Sequence, residues 1–277
     1  MAVRLGQPVA WIRAITLALV GGIDAGCGHQ PIAVGPAAAD AFLYRGSPVH
    51  PFCVDFPQEK LSRTDPMDLA ACTDHSITPR LVRGTWLSAD RPPVGDRGGG
   101  SVEYRVLASA GDRFLLAVES SGGGSGSFSE LFWVRLTDRA VMIDRDELGG
   151  DRCAGGMSGY SVTGDTLRFY ATASTRKLIA LTGVSLPDTI RRQLRDAYYA
   201  CDGAENYVYD LRSRRMTVET FTLTEPGERV PSAGPGETSA QKCFDALASE
   251  YASRGRLTLT PAEFRQFGAD FAARCAR

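Results

Sequence analysis

The sequence is poor in lysine and histidine and carries almost no net charge. Only three of its 31 basic residues are lysines, and 32 acidic residues balance them. A partner rich in phosphate requires an excess of positive charge, so the composition argues against nucleic-acid binding. Histidine occurs three times in 277 residues, which leaves few general bases or nitrogen ligands for a metal. We find no nucleotide, haem or flavin motif and predict no cofactor.

Apolar runs long enough to cross a membrane are absent as well. A helix needs about 20 apolar residues to span the hydrocarbon core, whereas the N-terminal apolar stretch covers only residues 14–23. Arg4 and Arg13 precede this stretch, and small residues follow it. This order is typical of a secretory signal peptide, which we predict at residues 1–26. We therefore expect export to the periplasm or outer membrane.

Cys27 follows the predicted signal peptide and has two interpretations. Ala25-Gly26-Cys27 resembles the end of a bacterial lipoprotein signal, although Asp24 stands where that signal carries an apolar residue. The resemblance implies that Cys27 is acylated, becomes the new N-terminus and attaches the protein to a membrane. The alternative is cleavage at Ala25 by an ordinary signal peptidase, which leaves Cys27 with a free thiol.

The remaining cysteines are even in number, which favours disulfides in an exported protein. We predict that Cys243 pairs with Cys275, because an antiparallel helical hairpin brings these two residues together. Sequence order further suggests Cys53 with Cys72 and Cys153 with Cys201. With all six residues paired, Cys27 is the one left over, which favours its acylation.

The chain divides into segments of different composition. Residues 27–50 are rich in alanine, glycine and proline and are predicted to be a flexible tether. Residues 51–224 form a mainly β domain that includes an N-terminal disulfide segment. Short β-branched and aromatic runs separated by turns such as Gly111-Asp112 predict antiparallel hairpins in this domain. Two helices are expected between its sixth and seventh predicted strands, at residues 175–183 and 186–200.

Residues 238–277 are predicted to be a helical hairpin, because apolar residues recur there at helical spacing. Thr238 with Gln241 and Thr260 with Glu263 have the spacing of capping boxes, and Gly255 suits the end of the first helix. The fold class is therefore α+β: an antiparallel sandwich or barrel-like sheet of about eight strands with a C-terminal disulfide-linked helical hairpin.

Two pairs of residues suggest a zinc site. His50 with Cys53 and Cys72 with His75 offer two nitrogen and two sulfur ligands, the set of a tetrahedral structural site. The alternative is a Cys53–Cys72 disulfide with two histidines nearby by chance, and export favours it because a thiolate must escape oxidation to bind metal. We therefore predict no metal.

Catalytic patterns are weak. His75 is the one plausible general base, and neither glycine-rich serine segment completes a G-x-S-x-G motif. A glycosidase needs two carboxylates, which Glu119, Glu130, Asp144 or Glu147 would supply. The segment 144–151 resembles a calcium loop in part, but Leu148 stands at a ligand position, so it equally suits a solvated turn. The glycine-rich segment 120–130 lacks the lysine of a phosphate-binding loop and is predicted to be a flexible hairpin loop.

The arginines at 212, 214 and 215 lie in a hairpin turn, where such clusters are usually solvated and discourage edge pairing. From these observations we predict a non-enzymatic, exported cell-envelope protein that binds another envelope protein, as an inhibitor, an immunity-type protein or an assembly factor. The alternative is a periplasmic hydrolase that uses paired carboxylates or His75.

Overall fold

The computed structural model describes residues 31–56, 65–93, 99–123, 126–196, 201–224 and 238–275. The strands in this part are β1 (Ala33–Val34), β2 (Leu43–Tyr44), β3 (Ser47–Pro48), β4 (Met67–Asp68), β5 (Arg80–Val82), β6 (Trp86–Asp90), β7 (Ser101–Ala110), β8 (Arg113–Ser121), β9 (Phe128–Leu136), β10 (Ala140–Asp151), β11 (Ala154–Thr163), β12 (Thr166–Ala173), β13 (Gly203–Asp210), β14 (Arg215–Leu223) and β15 (Thr258–Leu259). The α-helices are α1 (Pro36–Ala39), α2 (Leu69–Cys72), α3 (Thr175–Leu181), α4 (Asp188–Arg191), α5 (Ser239–Ser253) and α6 (Pro261–Cys275), and a 3-10 helix spans Pro51–Val54. Among the described residues, no helix has the length and apolar character needed to cross a membrane.

Two antiparallel sheets form the centre of the protein. The first has eight strands in the order β4-β10-β9-β8-β7-β6-β5, with β1 paired to β7, and it curls into a half-barrel. The second has five strands in the order β11-β12-β13-β14-β15, and β2 pairs with β3 in a separate hairpin. The predicted α+β class, with an antiparallel sheet of about eight strands and C-terminal helices, is confirmed.

Three apolar clusters hold these layers together. One lies between the two sheets and contains Trp133, Leu115 and Phe169 among its members. A second covers the other face of the first sheet, where Phe42 and Val49 of the N-terminal segment pack on the strands. The third surrounds the C-terminal helices, which pack against the ends of β12 and β14. Alternation of side chains along β8 explains why one strand contributes to two clusters.

The C-terminal hairpin forms as predicted, with one difference at its start. Thr238 caps α5 by accepting a hydrogen bond from the Gln241 backbone N–H. The Gln241 side chain does not complete a capping box but donates to Thr175 Oγ1 and Asp245 instead. At α6, Thr260 and Glu263 exchange backbone and side-chain hydrogen bonds, which is a full capping box.

Three disulfides join the described cysteines. They are Cys53–Cys72, Cys153–Cys201 and Cys243–Cys275, the pairs that the spacing and order of the cysteines suggest. The Cys243–Cys275 bond links α5 to α6 across a sequence separation of 32 residues. Cys27 and the predicted signal peptide lie outside the described residues.

The tether predicted for residues 27–50 is wrong over its described part. Residues 31–50 contain β1, α1 and the β2–β3 hairpin, and Ala38, Phe42 and Val49 are buried against the first sheet. The composition favours a linker because apolar residues in this segment do not recur at helical or strand spacing. The first sheet nevertheless has an apolar face, and a segment without regular periodicity also packs against it.

The segments around residue 150 also differ from the prediction. Residues 144–151 belong to β10, a strand with two register shifts, rather than to a solvated turn or a calcium loop. The glycine-containing strand β11 was not predicted. The helix expected at 186–200 is reduced to α4, and residues 197–200 are not described.

Candidate functional site

A polar cleft opens at one end of the first sheet, beside the β5–β6 turn. Its cavity volume is about 320 Å³, and its lining residues are Val82, Arg83, Ser101, Glu103, Glu119, Ser120, Ser121 and Ser127. The side chains of Glu103 and Glu119 lie on the face of β7 and β8 that is directed toward the second sheet. They follow the last apolar side chains of that face. The cleft therefore lies where the apolar core between the sheets gives way to solvent.

Two glutamates and one arginine form the centre of this cleft. Glu103 and Glu119 are direct cross-strand partners on β7 and β8. Arg83 Nη2 lies 2.5 Å from Glu103 Oε2 and 3.0 Å from Glu119 Oε2, and Arg83 Nη1 lies 3.5 Å from Glu119 Oε1. The guanidinium removes the repulsion that two like charges directly opposite each other would create.

The backbone of Arg83, in the turn between β5 and β6, has an unusual conformation. Arg83 has φ of 49°, in the left-handed region that non-glycine residues seldom occupy. Its guanidinium carbon lies 4.4 Å from the centroid of the Trp86 ring, so a cation–π contact adds to the two ion pairs. Burial lowers the pKa of Arg83, but hydrogen bonds and the charges of Glu119 and Glu103 outweigh burial and raise the pKa overall.

Tyr160 of β11 approaches the cleft from the second sheet. Its ring centroid lies 6.0 Å from that of Trp86 and 5.9 Å from that of Phe169. Its hydroxyl is buried and has no hydrogen-bond partner among the described residues. Burial, followed by the charge of Glu119, raises the pKa of this phenol, so Tyr160 stays protonated and able to donate.

A second polar network lies near the other end of β8 and joins the two sheets. Trp133 Nε1 donates to Tyr209 Oη at 2.9 Å, and Tyr209 Oη donates to Glu147 Oε1 at 2.7 Å. The Glu147 side chain is 3% exposed and lies 3.2 Å from Arg145 Nε. Burial raises the pKa of Glu147 against the opposing effect of Tyr209.

Asp144 belongs to the same end of the molecule. It forms ion pairs with Arg113, Arg135 and Arg214 at 3.3 to 3.4 Å. Arg214, predicted to be part of a solvated turn, curls back over the Trp133 ring with its guanidinium carbon 4.6 Å from the centroid. This network joins the β13–β14 turn to the first sheet.

The structure does not assemble the zinc ligands. Cys53 and Cys72 are bonded to each other, so neither supplies a thiolate. His50 is buried; its Nδ1 accepts from the Phe52 backbone N–H, and its Nε2 lies 3.3 Å from the Ile77 carbonyl oxygen. Burial lowers the pKa of His50. His75 is exposed, and no group of three or more candidate metal-binding side chains occurs within the described ranges.

The four carboxylates proposed for a glycosidase fall into separate places. Glu119 lies in the cleft, Asp144 and Glu147 belong to the network near Arg214, and Glu130 is buried on the opposite face of β9 from Trp133. The glutamate that does face Glu119 is Glu103, which sequence reasoning missed.

The cause of this omission is a β-bulge. The Gly111-Asp112 turn pairs Ala110 with Arg113, and a regular hairpin counted from there places Glu103 and Glu119 on opposite faces of the sheet. A register shift between Val106 and Ala108 moves β7 by one residue and places the two glutamates side by side.

Comparisons with known protein families, with curated proteins and with solved structures find no match to this chain.

Proposed function

We propose that this chain is an exported bacterial cell-envelope protein that binds another protein, as an inhibitor, an immunity-type protein or an assembly factor. The observation that carries the proposal is the outer strand β5, which pairs with β6 on one side and with no strand of the described residues on the other. Leu81 in this strand is 71% exposed. An exposed edge strand with an apolar side chain is a surface to which a partner adds a strand of its own.

The state of the acidic side chains also supports binding over catalysis. Glu103 and Glu119 share the guanidinium of Arg83, and Asp144 is surrounded by three arginines. Carboxylates in such ion pairs are held in fixed positions by charge-assisted hydrogen bonds. This arrangement suits a rigid recognition surface.

Site-specific photocrosslinking tests the proposal. A photoreactive phenylalanine analogue replaces Leu81 in the full-length chain expressed in its source bacterium, and a matched chain carries it at exposed Thr217 on β14. We expect one envelope protein to be crosslinked at position 81 and not at position 217. Purified partner must then bind the wild-type chain and bind Leu81→Asp at least about tenfold more weakly, which is the effect of losing one interface anchor. Equal crosslinking at both positions, or equal affinity of the variant, would contradict the proposal.

Attachment to the membrane is a further part of the proposal and rests on the cysteine count. The three disulfides use six cysteines and suit an oxidising compartment. We propose that Cys27 is acylated. Intact mass of the mature chain, with and without reduction, distinguishes an acylated N-terminal Cys27 from a chain that begins at Gly26 and carries one free thiol.

One observation favours hydrolysis as a second candidate function. Glu103 Oε2 and Glu119 Oε2 bind the same nitrogen of Arg83, so the two oxygens are no more than about 5.5 Å apart, close enough for the paired carboxyl groups of a retaining glycosidase. The difficulty is that Arg83 engages both carboxylates, whereas a glycosidase needs one free to donate a proton and the other free to attack or to activate water. Release of reducing sugar from glycosides that depends on both Glu103 and Glu119 would establish this alternative.

A further inference from the structure

The cleft around Arg83 keeps much of its hydrogen-bonding capacity open to solvent. Among the described residues, the hydrogen-bond donors to the Glu103 and Glu119 side chains are Arg83 and Ser88 Oγ. An ionised carboxylate accepts at about four lone-pair sites, so about half of the capacity of this pair remains open. The guanidinium has five N–H groups, of which about two remain. The cleft therefore presents acceptors and donors side by side.

The hydroxyl groups of the cleft extend this pattern. Ser101 and Ser121 lie across β7 and β8 from each other with their Oγ atoms 3.4 Å apart, and both line the cavity beside the glutamates. Each hydroxyl both donates and accepts. Since β7 and β8 are central strands of the first sheet, these groups are held on rigid backbone rather than on a loop.

The two carboxylates and one guanidinium of the cleft carry one net negative charge, which selects against anionic ligands. An anion that approaches Arg83 also meets the two carboxylates, and a cation that approaches Glu119 also meets the guanidinium. Apolar ligands find Val82 as the one aliphatic hydrocarbon side chain among the lining residues. A neutral molecule whose groups donate and accept at adjacent positions engages both the carboxylates and the guanidinium without a charge that either of them repels.

We propose that this cleft binds a neutral saccharide. Adjacent hydroxyl groups of a sugar ring donate to the open carboxylate oxygens of Glu119 and Glu103 and accept from the free N–H groups of Arg83. The cavity volume of about 320 Å³ is at the lower end of the range for ligand pockets, which is about 300 to 1,000 Å³. A cavity of this size suits one sugar unit or the end of a longer glycan. Because the cleft is shallow and wet, the affinity for a short saccharide is low, with Kd in the millimolar range.

The test is a titration of the full mature chain with defined sugars. Maltose, cellobiose, lactose and N,N′-diacetylchitobiose serve as neutral probes, and galacturonate and glucosamine serve as charged ones, with binding followed by protein-observed NMR. We expect saturable shifts at Arg83, Glu103 and Glu119 for at least one neutral disaccharide and weaker binding of galacturonate, which carries the charge that the two carboxylates repel. No saturable binding of any neutral probe, or tighter binding of a charged one, overturns the proposal.

Variants connect the binding to the cleft. Glu119→Gln keeps the shape of the side chain but removes its charge, and we expect Kd to rise about tenfold because charge-assisted hydrogen bonds to the sugar are weakened. Glu219→Gln is the matched control, since Glu219 also pairs with an arginine, Arg168, but lies on β14 away from the cleft. Ser121→Ala is a second cleft variant that leaves the ion pairs intact, and it also should weaken binding.

The outcomes separate this inference from the proposed protein partner. Unchanged Kd in both cleft variants, with the fold intact by circular dichroism, overturns the saccharide site. Crosslinking at position 81 that succeeds while no neutral disaccharide binds overturns the saccharide site and leaves the protein partner supported. Saccharide binding that persists while crosslinking at position 81 fails supports the inference and refutes the protein partner.

Discussion

Replacement of Tyr209 by phenylalanine tests whether the buried network joins the two sheets. The Tyr209 side chain is fully buried, accepts from Trp133 Nε1 and donates to Glu147. Without its hydroxyl, the indole N–H is left in the core without a partner, and Glu147 keeps only its ion pair with Arg145. Leaving a buried polar group unsatisfied costs about 1 to 3 kcal/mol. With two groups affected, we expect Tyr209→Phe to lower the free energy of unfolding by about 2 to 6 kcal/mol.

The assay is urea denaturation followed by circular dichroism and tryptophan fluorescence at neutral pH. A loss of this size is a large part of the total stability of a domain, about 5 to 15 kcal/mol. Tyr170→Phe is the control, because Tyr170 lies on the second sheet with 37% of its surface exposed. We expect that control to change stability by less than about 0.5 kcal/mol. If Tyr209→Phe costs no more than Tyr170→Phe, the hydrogen bonds between the sheets contribute nothing measurable and the reasoning is refuted.

Three further variants test neighbouring parts of the structure. Burial raises the folded-state pKa of Glu147. The free energy of unfolding of the wild type should therefore fall relative to that of Glu147→Gln as pH rises through this pKa. A difference between the two proteins that stays constant between about pH 4 and 8 contradicts this expectation. Removing the Cys243–Cys275 bond with a double alanine variant opens a loop with a sequence separation of 32, and denaturation should show a loss of about 3 to 4 kcal/mol. Thr238→Ala removes the cap of α5 and should cost about 1 kcal/mol in the same assay, whereas no loss would mean that the cap is dispensable.

Local signals predict the hairpins and the C-terminal helices well. The Gly111-Asp112 turn separates two alternating runs, and the structure pairs β7 with β8 across it. Apolar spacing and capping residues likewise define α5 and α6, and their facing cysteines form the Cys243–Cys275 bond. These features depend on residues close in sequence, or on two regular elements joined by a short turn, so pattern is enough to find them.

Features that depend on distant or irregular contacts are not predictable in this way. Phe42 and Val49 complete the core of the first sheet from a segment without periodicity. The cleft depends on a single bulge, because a shift of one residue decides which face of a strand carries Glu103. Arg83 joins this pair from a different hairpin. No spacing within the sequence relates residue 83 to residues 103 and 119, so the site is visible only once the sheet is assembled.

Two arginines at turns show why side chains at one end of the paired sheets stabilise the fold and those at the other end suit ligand binding. Arg83 and Arg214 both have positive φ, and each covers a tryptophan ring while it pairs with carboxylates. At the Arg214 end, Asp144 is surrounded by three arginines and the neighbouring Glu147 is buried, so little hydrogen-bonding capacity faces solvent. At the Arg83 end, the arginine side chain is half exposed, and serine hydroxyls rather than further ion pairs lie beside it. An arginine that covers a tryptophan ring therefore occurs at both ends, but only the Arg83 end keeps donors and acceptors open to solvent. A ligand at the Arg83 end gains hydrogen bonds without breaking the ion pairs that stabilise the fold.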